Sequence, residues 1–121
     1  LPGQTFEEFV AMWDRCTREP EYMPPVGDSA KQAGQRLSSL LSELAELHPP
    51  QSNIVIVTHG GLITDFLVGT LPKEQLEAWH PNFVEVQSEL VPECSITTLI
   101  YEDGKYKIKD FASVEHLRSL R

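Results

Sequence analysis

The stretch Asn53-Ile54-Val55-Ile56-Val57-Thr58 narrows most sharply what this chain can become. Four apolar β-branched residues in a row suit a strand covered on both faces, as at the centre of a parallel sheet. Parallel neighbours need crossover segments, which are usually helices. The run passes directly into His59-Gly60-Gly61 and then into Leu62–Val68, which reads as a helix. Strand, tight glycine turn and helix together place functional groups at the carboxyl end of a strand.

The flanking segments supply helices of the required kind. Thr5 and Glu8 are spaced as a capping box, and Phe6, Phe9, Val10 and Trp13 follow at helical spacing. Residues 20–27 hold three prolines and predict a loop. Ser29 and Gln32 form a second capping-box pair. Behind them Ala30, Ala33, Leu37, Leu40, Leu41, Leu44 and Leu47 make a broad apolar stripe that ends at Pro49-Pro50. Beyond the glycines, residues 72–79 predict a short helix with Pro72 in its first turn. Residues 83–87, 95–101 and 105–111 predict strands. Asp103-Gly104 between the last two signals a hairpin, because both residues tolerate positive φ. A last short helix is expected over 114–118. The expected class is therefore α/β, in one domain over residues 1–121.

Composition trims the functional possibilities. With 40% hydrophobic residues the chain has material for a core, which excludes a disordered or collagen-like chain. A net charge of −8 argues against a general binder of nucleic acid or anionic membrane. No apolar run reaches the roughly 18 residues of a membrane span. Leu1-Pro2-Gly3 has no basic-then-apolar leader pattern and no Met, so a piece of a longer chain is expected. Cys16 and Cys94 form no CxxC pair, so the expectation is two reduced thiols in a cytoplasmic protein, with no disulfide framework and no zinc site.

The candidate functional residue is His59. At the end of a buried strand it points out at the functional edge of a sheet, and the glycines let backbone approach a ligand closely. The helix beginning there directs free N–H groups and a positive dipole end at the same place. An anion, most naturally phosphate, suits that arrangement. The plain alternative is that His59-Gly60-Gly61 only makes a tight strand-to-helix turn. His48, at a helix end before Pro49, reads as a partner of the carboxyl-end dipole. His80 reads as surface loop. Trp13 and Trp79 read as packing residues, and Arg36 as one half of a surface or interhelix pair.

The order of segments resembles the histidine phosphatase superfamily, the phosphoglycerate mutase-like proteins. Pro24-Pro25-Val26-Gly27-Asp28-Ser29 is similar to the family's Pro-Pro-Gly-Gly-Glu-Ser segment, which precedes a long helix with an Arg where Arg36 stands. Ile54 to Gly60 resembles the family's hydrophobic strand ending in its second His-Gly. Cys94-Ser95-Ile96-Thr97, the Asp-Gly hairpin and Glu115-His116-Leu117 follow in the family's order. Val26 and Asp28 depart from the pattern, though Asp also starts helices well.

The resemblance implies a three-layer α/β/α fold with a mostly parallel central sheet, of which this chain would be a C-terminal part. It implies phosphoryl transfer through a phosphohistidine. His59 would be the second phosphate-pocket histidine, Gly60 a backbone donor, and Ser95 a further phosphate contact. His116 matches the tail and not the catalytic set. No metal or other cofactor is implied. The family's nucleophile lies in an Arg-His-Gly triplet, and no such triplet occurs here. Nucleophile, a further Arg and the general acid would then lie upstream of Leu1. Since Gly60 follows His59 where some members carry an acid, the mutase-like branch is implied. The expected activity is a metal-independent phosphatase acting on a small phosphomonoester. A phosphoglycerate mutase-type phosphotransferase or an inactive binding module are the alternatives. A strand from the missing half would pair beside Ile54–Thr58. Without it an apolar edge favours self-association, so a homo-oligomer or a missing N-terminal half is expected as partner.

Overall fold

A computed structural model describes residues 2–120, with side chains through Arg118. In chain order the helices are α1 (Phe6–Arg18), α2 (Ala30–Leu47), α3 (Gly60–Thr70), α4 (Lys73–Glu77) and α5 (Phe83–Val86). A hairpin of β1 (Ile96–Glu102) and β2 (Lys105–Ser113) follows, and a 3₁₀ turn over Glu115–Leu120 closes the described residues.

Helix starts follow their local chemistry. Ser29 accepts from the Gln32 amide at 3.1 Å, and the Gln32 side chain accepts from the Ser29 amide at 3.1 Å, which completes the capping box of α2. In α1 the Thr5 hydroxyl accepts from the Glu8 amide at 3.1 Å, and the reciprocal bond is not formed among the described residues. Pro72 precedes α4 as its cap.

The core forms where α3 meets its neighbours. Phe66 and Leu67 of α3, Leu71, Leu76 of α4, Phe83 of α5, Leu37 of α2 and Ile108 of β2 are buried together. Such a helix, apolar nearly all round, belongs inside a protein. Helix α2 reaches it through Gly34, where an added Cβ would lie 2.8 Å from the Asp65 carbonyl oxygen. The hairpin covers the same core. Phe66 meets Tyr106 edge-on at 5.3 Å between centroids, and Phe83 meets Phe111 at 5.2 Å. The Tyr106 hydroxyl reaches Ser42 Oγ at 3.0 Å and ties β2 to α2.

The hairpin turns at Asp103 and Gly104 with φ of 52° and 75°, the positive pair that a two-residue turn requires. Its strands are antiparallel, with Tyr101 opposite Tyr106. The register slips between Ile96 and Leu99. There Ala112 takes a φ of 50°, and its amide finds the Thr97 hydroxyl at 3.1 Å. The side chain thus satisfies a donor that the irregular ladder would leave unpaired.

Three expectations need correction. Residues 54–58 lie outside any sheet, and Val55 and Val57 are 88% and 93% exposed. A ladder requires a neighbour, and the two-stranded antiparallel sheet is the whole of the sheet structure among the described residues. A three-layer arrangement around a parallel sheet is therefore not formed by these residues. Phe83–Gln87, expected as a strand, is helical instead, with a 3₁₀ turn over Gln87–Glu89. Asn82 in the left-handed region starts the turn, Phe83 enters the core, and the Gln87 side-chain Nε2 donates to the Val84 carbonyl at 3.1 Å. Short apolar runs carry too little periodicity to separate strand from helix. The short helix expected over 114–118 is present as a 3₁₀ helix over Glu115–Leu120.

Helix α1 lies on the surface. None of its residues is buried, and Phe6, Val10 and Trp13 show their apolar face to solvent.

Candidate functional site

His59 occupies the cap position of α3 with extended backbone, φ −119° and ψ 151°. Its carbonyl accepts the first helical bond, from the Ile63 amide at 3.1 Å. The amides of Gly60, Gly61 and Leu62 therefore precede the helical ladder, and no side chain caps them. The ring of His59 is exposed beside this donor-rich end. Imidazole, three amide hydrogens and the positive end of an 11-residue helix make a place where an anion is stabilised.

The scaffold beneath explains the local sequence. Thr64 is buried, and its hydroxyl donates to the carbonyls of Gly60 and Gly61 at 3.3 and 3.0 Å, which holds the first turn. A Cβ at Gly60 would sit 3.1 Å from Val91 Cβ, so a side chain here would displace the segment leading to β1. Trp13 Cζ2 approaches Gly61, 3.8 Å from where a Cβ would lie. Gly60 thus has a packing reason in addition to any ligand, whereas a Cβ at Gly61 would make only ordinary contact with Trp13.

Ser95 stands in the turn before β1, partly buried, with its amide bonded to the Pro92 carbonyl at 3.2 Å. Val91 brings this segment against Gly60. No hydrogen bond joins Ser95 to His59 or Gly60 among the described residues. The remaining candidates fall into structural positions. His48 Nδ1 donates to the Leu44 carbonyl at 2.7 Å, the expected helix-end role. His80 bonds its neighbour's carbonyl in an exposed loop, and His116 Nε2 donates to the Cys94 carbonyl at 2.9 Å. Arg36 pairs with Asp28 at 2.9 Å on an exposed surface. Among the described residues no three His, Cys, Asp or Glu side chains gather as a metal-holding group, and no helix is long and apolar enough to cross a membrane.

One titratable group escaped the sequence reading. Asp65 is the lone acid in the apolar helix α3, and burial pushes its carboxyl up to about 6. Cys16 of α1 is its neighbour. Burial raises that thiol first, and the Asp65 carboxylate raises it further. An isolated acid inside an otherwise apolar helical run was the available signal.

A model of the histidine phosphatase superfamily (branch 1) matches residues 2–113 of the chain. Comparison with curated proteins and with solved structures returns no significant match.

Proposed function

Because the chain belongs to the histidine phosphatase superfamily, branch 1, we infer that it carries one wall of a phosphoryl-transfer pocket in a metal-independent phosphatase acting on a small phosphomonoester. Membership supports phosphatase- or mutase-like chemistry in general. The observation that carries the finer reading is the exposed His59 ring at the uncapped, glycine-rich start of α3.

In this reading a nucleophilic histidine outside these 121 residues attacks phosphorus. The bond from phosphorus to the ester oxygen breaks, and its electron pair leaves with the alcohol, which a general acid protonates. Water then attacks the phosphohistidine and releases phosphate. Charge spreads over the equatorial oxygens during both steps, and the site's work is to hold that charge. His59 donates a hydrogen bond to one oxygen. The Gly60 amide serves a second, as preorganised donors do in oxyanion sites. Ser95, carried past Gly60 by the 91–95 segment, is the proposed third contact. The chain is then the C-terminal part of one domain, with the parallel layer and the nucleophile contributed by the preceding segment. A cytoplasmic location and a substrate that is neither nucleic acid nor membrane belong to the same reading.

Trapping the enzyme during turnover tests this. The protein including its upstream segment, mixed with a labelled phosphomonoester and quenched in alkali, should retain a phosphoryl label that acid removes, as a phosphohistidine does. Chasing the label into water marks a phosphatase, and into a second phosphorylated acceptor a mutase. The alternative is an inactive binding module that holds phosphate without transferring it. Saturable phosphate binding without label or turnover would establish that alternative in place of the enzyme.

A further inference from the structure

Two segments flank the first turn of α3. Trp13 of α1 reaches Gly61, with its Cζ2 3.8 Å from where a Cβ would stand. Val91 reaches Gly60, with its Cβ at 3.1 Å on the same measure. The same two segments wall an open groove of about 600 Å³. Phe6, Val10 and Trp13 line one side, and Ser88, in the segment that leads to Val91, lines the other. Trp13 thus belongs to the groove and to the glycine turn at once, so the groove runs up to the free amides. Its volume falls within the range of small-molecule clefts.

The lining has a definite chemistry. Phe6, Val10 and Trp13 recur at helical spacing and form one apolar stripe along α1. Trp13 is 58% exposed, so much of its ring is open to a ligand. Glu7 and Asp14, seven residues apart on the same side of α1, put carboxylates on the groove, and no basic residue lines it among the described residues. Arg18 pairs with Asp14 at 2.8 Å, whereas Glu7 makes no ion pair among the described residues. A ligand spanning both places therefore needs an anionic head for the helix start and an uncharged, apolar body for the groove. A second anionic group in that body would meet the two carboxylates at a cost.

We propose that the groove seats the alcohol portion of the substrate, and that the substrate is a phosphomonoester of an uncharged apolar or aromatic alcohol. The proposal rests on the reading of His59 as a phosphate-holding residue. The phosphoryl group lies at His59 and the Gly60 amide, and the alcohol's ring or chain lies on Trp13, between the α1 stripe and Ser88. Trp13 acts on specificity and not on the reacting atoms. A phosphoglycerate would bring its carboxylate towards Glu7 and Asp14, so the groove favours hydrolysis of apolar esters over a phosphoglycerate mutase reaction.

Steady-state kinetics on the protein with its upstream segment test this, with benzyl phosphate, methyl phosphate and 3-phosphoglycerate. All three are alkyl esters, so their leaving groups differ little. The value of kcat/KM should be highest for the benzyl ester and lowest for phosphoglycerate. Trp13→Ala should lower it about tenfold for the benzyl ester, mainly through KM, and by less for methyl phosphate, which has almost no body to seat. Glu7→Gln with Asp14→Asn should raise it about threefold for phosphoglycerate at low salt. If the protein holds these esters without turning them over, dissociation constants take the place of kcat/KM. Turnover or binding with no preference for the benzyl ester, or a preference that Trp13→Ala leaves intact, overturns the proposal while His59 keeps its assignment. A Trp13→Ala protein that melts well below its parent with KM unchanged also overturns it, because another part of the chain then fills the groove. Failure of all three esters and of inorganic phosphate to bind would remove the assignment of His59, and this proposal with it.

Discussion

Replacing His59 with alanine should lower kcat for p-nitrophenyl phosphate hydrolysis by about 10²–10³-fold, the usual loss when one preorganised donor to a developing oxyanion is removed. The assay uses the protein with its upstream segment, because the nucleophile is proposed to lie there. The loss should fall mainly on kcat. A donor whose bond strengthens as charge builds on the phosphoryl oxygens stabilises the transition state more than bound substrate. Folding should be nearly untouched. The ring is exposed and makes no hydrogen bond among the described residues, so melting should shift by no more than about 0.5 kcal/mol of stability allows. Unchanged turnover in the alanine protein would remove His59 from the site. A large loss of stability would instead show the ring to be structural.

Gly34→Leu should destabilise the fold by about 3 kcal/mol or more, the upper part of the range for overpacked cores. The cause is a backbone approach and not a flexible contact. A Cβ would stand 2.8 Å from the Asp65 carbonyl oxygen, 3.1 Å from its carbon and 3.3 Å from Phe66 Cα. None of these atoms moves without shifting α3, which carries Phe66 and Leu67 into the core. Gly34→Ala should cost less, about 1–2 kcal/mol, because alanine returns close to 1 kcal/mol of helix propensity against the same clash. Gly69 supplies the control. It lies near the end of α3 with open space around its missing Cβ, so Gly69→Ala should be neutral or slightly stabilising. Denaturant melts of the three proteins check the order. If Gly34→Ala were as harmless as Gly69→Ala, the close crossing of α2 and α3 would be wrong.

The amino-acid sequence made some of this legible because the relevant forces are local. Ser29 and Gln32 mark the start of α2 through bonds three residues apart. Asp103-Gly104 marks the hairpin because few residue pairs accept its turn. His59 at the start of α3 is equally local. What stayed hidden depends on distant neighbours. Phe83 goes into a core built from α3, α4 and β2, and that burial decides helix over strand. Ile54–Thr58 has the composition of a central strand, yet composition cannot supply the chains that would flank it. The burden on Asp65 arises only once α1 and α2 close around it. The position of Gly34 is the same kind of fact, since a glycine within a helix pattern looks like a weakness until the facing backbone is known.

The bare stretch at Val55 and Val57 also alters how the 121-residue chain, taken without the preceding segment proposed to flank it, should respond to solvent. Its most β-branched segment already lies in water when the chain is folded. Unfolding therefore exposes less new hydrocarbon than 121 residues of this composition suggest. The urea m-value and the heat-capacity increment both scale with newly wetted area, so both should be smaller than the chain length implies. A flatter stability curve follows, with broad transitions even where the core around Phe66 is well packed.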